Sequence, residues 1–175
     1  KNMNKKSTPG QFLHGINNLK KQGILTLAAF ILGFPGETEK SIQKNIDFIR
    51  TSGLDYYTLK EFYYMKHTPI YAMRDKFGLS GIGNNWEHKT MDYPRAQRHK
   101  IEVFRQVKGS IFIDPDTSLW QIAYLYDQGF SFNSISQIQR SINAIMLDQI
   151  SGIFDDRCLG FTQLENIFSQ KAAVR

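Results

Sequence analysis

The chain has 175 residues, 41% of them hydrophobic and 22% charged, with a formal net charge of +6. This length and balance suit a globular fold with one core and an appendage, and exclude a disordered or fibrous chain. The single cysteine, Cys158, excludes a disulfide framework and a self-contained thiolate metal site, and makes a cytoplasmic setting the default expectation. No 18-residue apolar run is present, so no membrane span or membrane partner is expected, and the first residues carry no signal-peptide core. Basic clusters at Lys1–Lys6, Lys20-Lys21 and Arg95–Lys108 fit either solvated faces or a surface that steers an anionic partner.

Thr8-Pro9-Gly10-Gln11 opens a helix, with Thr8 as N-cap, Pro9 at its first position and Gln11 completing a capping box. Phe12, Ile16 and Leu19 form its apolar stripe, and Gly23 ends it. Ile24–Leu32 is a nearly unbroken apolar run, as expected of a parallel strand buried on both faces. Gly33-Phe34-Pro35-Gly36 forms a sharp turn, and Glu37–Ser52 is the next helix, with Ile42, Ile46 and Ile49 inward. Leu54–Tyr64 is a second strand. Helix, strand, helix and strand with short connections is the repeating unit of a parallel α/β fold.

Residues 67–91 read as a long irregular stretch, ordered by Trp86, Tyr71 and Phe77. A helix from about Asp92 to Ile113 follows. Asp116 is the expected cap of Leu119–Gln128, and Ser134–Ile150 places Ile135, Ile138, Ile142, Ile145 and Met146 inward. Thr162-Gln163-Leu164-Glu165 reads as the capping box of a short last helix.

The turn Gly33–Thr38 joins a buried strand to a helix N-terminus, the place where parallel α/β folds bind ligands. Gly33 has no Cβ, so a flat ligand could approach its backbone, and Pro35-Gly36 fits a type II turn. Thr38 or Glu37 can cap the helix. On the second strand, alternation places Asp55, Tyr57, Leu59, Glu61 and Tyr63 on one face, and Leu54, Tyr56, Thr58, Lys60 and Phe62 on the other. Lys60 and Glu61 lie toward its carboxyl end and are candidate catalytic groups, or else paired rim charges. His88, within Trp86–Met91, is a candidate general acid or base, or a hydrogen-bonded loop residue. Trp86 is a candidate pocket floor. No metal-ligand spacing surrounds His88.

Ala29-Phe30-Ile31-Leu32-Gly33-Phe34-Pro35-Gly36-Glu37-Thr38 resembles the fifth-strand motif of radical S-adenosylmethionine enzymes. Met3-Asn4-Lys5, Leu19–Ile24 and Thr68-Pro69-Ile70-Tyr71 match that family's flanking pieces in order. The resemblance implies the C-terminal half of a partial (β/α) barrel, with parallel strands at about 24–33 and 54–64. The barrel part would cover residues 1–113, and an all-helical extension residues 114–175. It implies that Ile31, Leu32, Gly33, Phe34, Pro35 and Gly36 lie on the adenine side of S-adenosylmethionine. It further implies a [4Fe–4S] cluster held by a Cys-x-x-x-Cys-x-x-Cys loop that this sequence lacks. The chain is therefore expected to be an inactive fragment whose partner is the N-terminal half of the same enzyme, acting on an unknown substrate. Its exposed sheet edge is expected to promote self-association. Trp86–Met91 also resembles a stretch in cobalamin-dependent, phosphinate P-methyltransferase-like members, which implies cobalamin and methyl transfer. Two alternatives stand beside this: a basic RNA- or nucleic-acid-binding module using the tyrosine-rich strand, and a partner-binding helical module.

Overall fold

The computed structural model describes residues 6–114, 116–154 and 158–172. Most of the N-terminal basic cluster and the Met3-Asn4-Lys5 piece of the resemblance lie outside them. The chain divides into two compact units, Lys1–Ser110 and Ile111–Arg175.

The first unit is α/β. Helix α1 (Pro9–Lys21) starts on the Thr8–Gln11 capping box. Strand β1 (Leu27–Leu32), helix α2 (Glu39–Thr51) and strand β2 (Tyr56–Glu61) follow. β1 and β2 pair in parallel, in register from Leu27 opposite Tyr56 to Leu32 opposite Glu61. Among the described residues the strands do not close into a barrel, and β1 is an edge strand whose ladder runs to β2.

Register sorts the side chains of this pair. Ala28, Phe30 and Leu32 share a face with Tyr57, Leu59 and Glu61. That face is covered by α2, through Phe30 against Phe48 and the buried stripe Ile42, Ile46 and Ile49, and by α4 (Tyr93–Gln106). The other face of β1 is not buried as the apolar run predicts. Leu27, Ala29 and Ile31 are exposed, Leu27 by 43% and Ile31 by 40%. An unbroken apolar run records what a strand can bury, and an edge strand lacks the second neighbour that would cover it.

The stretch 67–91 is not irregular. It forms a 3₁₀ turn (Pro69–Met73), a one-turn helix α3 (Arg74–Phe77) and a small antiparallel sheet. That sheet comprises β3 (Ser80–Ile82), β4 (Asn85–His88) and β5 (Met91–Asp92). Gly83-Asn84 joins β3 to β4 as a two-residue hairpin loop, a turn signal present in the sequence. Asp92 then caps α4, accepting the Arg95 N–H at 2.8 Å. This helix ends at Gln106, short of the predicted Ile113, ahead of Gly109.

The second unit contains a two-residue strand β6 (Ile111–Phe112) and helices α5 (Ser118–Asp127), α6 (Phe132–Ile150) and α7 (Leu159–Ala172). Phe130, Ile135 and Ile138 centre its core, joined by Ile142, Leu164 and Ile167. α7 crosses α6 closely at Gly160, where a Cβ would lie 2.3 Å from the Ser141 carbonyl oxygen. Two expected caps are corrected here. Thr117, not Asp116, precedes α5 and makes no side-chain cap bond. Thr162–Glu165 sits inside α7, which begins at Leu159.

Asp55 ties the entry of β2 to that of β1. Its carboxylate accepts the Thr26 N–H at 2.9 Å, the Thr26 hydroxyl at 2.8 Å and Lys20 Nζ at 2.8 Å. Burial alone would raise its pKa, but the Lys20 and Thr26 bonds outweigh burial and hold it below the usual range. A carboxyl with a lowered folded-state pKa adds stability above its unfolded pKa, and that stability is lost as pH falls through the folded value. Asp55→Asn should therefore flatten the acid limb of stability. Urea unfolding from neutral pH down to about pH 3 should show a smaller loss in the variant than in the wild type.

Candidate functional site

The carboxyl end of β1 runs into the turn that begins at Gly33, which adopts φ +81°. Phe34–Glu37 closes as a β-turn, the Glu37 N–H donating to the Phe34 carbonyl at 2.8 Å, with Pro35 and Gly36 (φ +91°) at its centre. Thr38 caps α2: its hydroxyl accepts the Ser41 N–H at 3.3 Å, and Ser41 Oγ accepts the Thr38 N–H at 2.8 Å. Glu37 is thereby released from capping. Its carboxylate turns back to accept the Gly33 N–H at 2.6 Å, and Asn45 Nδ2 donates to its other oxygen at 3.3 Å. Burial raises the Glu37 pKa, and the Gly33 bond offsets part of the rise.

Gly33 is held equally on its other side. Thr90 donates its N–H to His88 Nδ1 at 3.3 Å, so the ring proton sits on Nε2, which donates to the Gly33 carbonyl at 3.0 Å. His88 is buried, which pushes its pKa below the ordinary imidazole value, while the Gly33 bond and Asp92 pull the other way. Both ring nitrogens are therefore engaged in fixing the turn. Trp86 stacks on His88 with ring centroids 5.2 Å apart and planes 1° from parallel, and its Nε1–H donates to the Phe62 carbonyl at 2.6 Å.

The space that Gly33 leaves open is filled by the chain itself. A Cβ at Gly33 would lie 2.4 Å from the Trp86 ring and 3.0 Å from Ala96 Cβ. The flat group lying against this glycine is an indole, so on that side no ligand approaches. Pro35 and Leu32 are buried, while Phe34 is half-buried and Gly36 exposed. Ile31 is the residue of the predicted cofactor-side set that presents an exposed side chain from β1 itself.

The two charged candidates of β2 separate. Lys60 lies opposite Ile31 in the ladder and shares the open face of β1, whereas Glu61 lies opposite Leu32 on the helix-covered face. Glu61 meets Lys100 of α4 at 3.1 Å there. The structure thus brings together Gly33, Glu37, Trp86 and His88, and separately Ile31 and Lys60. It does not place Glu61 on the Lys60 face.

Ala96, Thr90, Phe62 and Asn45 hold this site and were not singled out from sequence. Trp86 and His88 carried a usable signal, since residues two apart on a strand share a face. Glu37 and Asn45 carried none, because neither spacing nor residue type distinguishes a brace from a cap.

No protein-family model matches the chain. It is 37% identical over 49 residues to an uncharacterized methyltransferase, PH0819, of Pyrococcus horikoshii. That likeness covers 28% of this chain and 11% of the methyltransferase. A methyltransferase-like stretch is thus present, within a chain that corresponds to a small share of that protein's length. An iron–sulfur cluster does not fit these residues: Cys158 is the single thiol, buried and in the second unit. Among the described residues no group of three His, Cys, Asp or Glu side chains is arranged to hold a metal ion. No helix among them is long and apolar enough to cross a membrane.

The geometry at Gly33 leads to a direct expectation. Gly33→Ala must accept a left-handed backbone and force Trp86 aside, costs of about 1–3 kcal/mol each. Urea unfolding should show the variant about 2–6 kcal/mol less stable than the wild type.

Proposed function

We propose that this chain is part of an S-adenosylmethionine-dependent methyltransferase of the radical type. In that enzyme the open face of β1, centred on Ile31, seats the adenine side of S-adenosylmethionine. The observation that carries this reading is the combination at the end of β1. An exposed apolar side chain lies two residues before a turn whose backbone is fully braced from within. Ligands of parallel α/β folds bind at the carboxyl ends of strands, and a braced turn keeps that end in one position. The partial likeness to a methyltransferase supports the same assignment.

The chain's own residues have defined tasks in this reading. Ile31 and Ala29 supply an apolar floor that excludes water from one face of a flat ring. Lys60 stands opposite Ile31 on the same face. When bound, S-adenosylmethionine supplies the transferable group. Cluster ligands would come from residues outside this chain, and the cobalamin expectation rests on the Trp86–Met91 resemblance alone, whose Trp86 and His88 are turned onto Gly33. The free edge of β1 is where the rest of the sheet would pair. Leu27–Leu32 carries no charge, proline or bulge to guard that edge.

The nucleic-acid alternative draws less support. Tyr56, Tyr57 and Tyr64 are buried and Tyr63 is exposed, so the tyrosine-rich stretch presents one ring and not a row of them for stacking bases.

Equilibrium dialysis of the full-length gene product, purified without oxygen, tests the assignment. The wild type should retain labelled S-adenosylmethionine, and Ile31→Asp should weaken retention about tenfold or more, about 1.4 kcal/mol. Full-length protein that binds no S-adenosylmethionine overturns the reading. In sedimentation runs the 175-residue chain should associate as its concentration rises. A monomer at every concentration would show that the β1 edge is already protected.

A further inference from the structure

Trp86 and His88 stand two residues apart on β4, and both are buried. Their common partner is Gly33, which lies far from them in sequence. His88 holds its carbonyl, Glu37 holds its N–H, and Trp86 fills the space above its Cα. With the peptide on each side of its Cα held by a side chain and one side walled, neither peptide plane at Gly33 is free to rotate. Together these two planes are the terminal anchor of β1. The direction of Ile31, on the preceding turn of the pleat, follows from it.

We propose that Trp86 and His88 are positioning residues that act through Gly33 to fix how the ligand-facing end of β1 presents Ile31. This deepens the reading of Ile31 as the S-adenosylmethionine seat and rests on it. The small sheet β3–β5 is then the support of the site rather than a connection between β2 and α4. Its hairpin carries the two rings to the turn, and Trp86 is pinned by its own bond to the Phe62 carbonyl, just beyond β2. Ordinary packing does not account for this arrangement. A core residue such as Ile49 on α2 stabilises the unit from within its own helix stripe, whereas these two rings meet one residue from a separate sheet.

The test uses full-length protein with Trp86→Phe, His88→Gln and His88→Ala, and Ile49→Val as a stability control. Phe keeps an apolar ring but lacks the benzo edge that reaches Gly33, and Gln retains an N–H donor for the Gly33 carbonyl. Two readouts are taken where every variant is folded: the Ile31 methyl NMR shift without ligand, and S-adenosylmethionine affinity by dialysis. Trp86→Phe and His88→Ala should move the Ile31 methyl and weaken affinity about tenfold or more. His88→Gln should return both toward wild type, and Ile49→Val should leave both unchanged. If Trp86→Phe and His88→Ala lower stability as Ile49→Val does, with methyl shift and affinity intact, the two rings are packing alone and the proposal fails. If the wild type binds no S-adenosylmethionine, the functional reading fails, and the Ile31 methyl still decides the positioning claim.

Discussion

A buried residue must find partners for its backbone N–H and its carbonyl, because water is not there to supply them. At Gly33 both are supplied by side chains, a carboxylate from the following turn and an imidazole from a strand far along the sequence. The carboxylate is available because Thr38 and Ser41 already cap α2 between them. The imidazole is available in one tautomer because Thr90 occupies its other nitrogen. Remove Glu37 or His88 and a buried backbone group of Gly33 is left unpaired, at a cost of about 1–3 kcal/mol. The small sheet, the start of α2 and the end of β1 are thus held to one another through a single residue, Gly33.

The parallel pair distributes its two faces accordingly. One face closes against α2 and α4, with Phe30 on Phe48 and Glu61 on Lys100. The other leaves Leu27, Ala29 and Ile31 in the open beside Lys60. The contrast between a rigid, fully satisfied turn and an exposed apolar strand face is what a ligand seat requires: fixed geometry with free surface. An edge strand with no guarding residue adds a second demand for a partner, met by pairing along its backbone.

Much of the order of elements was legible in the sequence, because capping boxes and isoleucine stripes are local signals. Thr8 and Gln11, and the stripe Ile42, Ile46 and Ile49, sit where those signals place them. The type II character of Pro35-Gly36 was legible for the same reason. Burial was less so. Leu27 and Ile31 look like core in an apolar run, and only strand neighbours decide whether they are covered. The site itself was half legible. Gly33 was recognisable as a close-approach position, but its visitor is Trp86, fifty-three residues later, and no local pattern records that contact. The short strands β3–β5 escaped notice because they lack the β-branched runs that mark longer strands, although the Gly83-Asn84 loop announces their hairpin. Thr162–Glu165 shows the converse: a capping pattern is local, and inside a helix that already began at Leu159 it marks no start.

Amide hydrogen exchange at Gly33, followed residue by residue at neutral pH, tests the central claim most directly. A peptide held by Glu37 and walled by Trp86 should exchange only when the first unit unfolds, as slowly as the β1–β2 ladder amides. Exchange at the rate of an open surface turn, with the ladder still protected, would contradict the account, because the turn would then be free and β1 would have no fixed end to present.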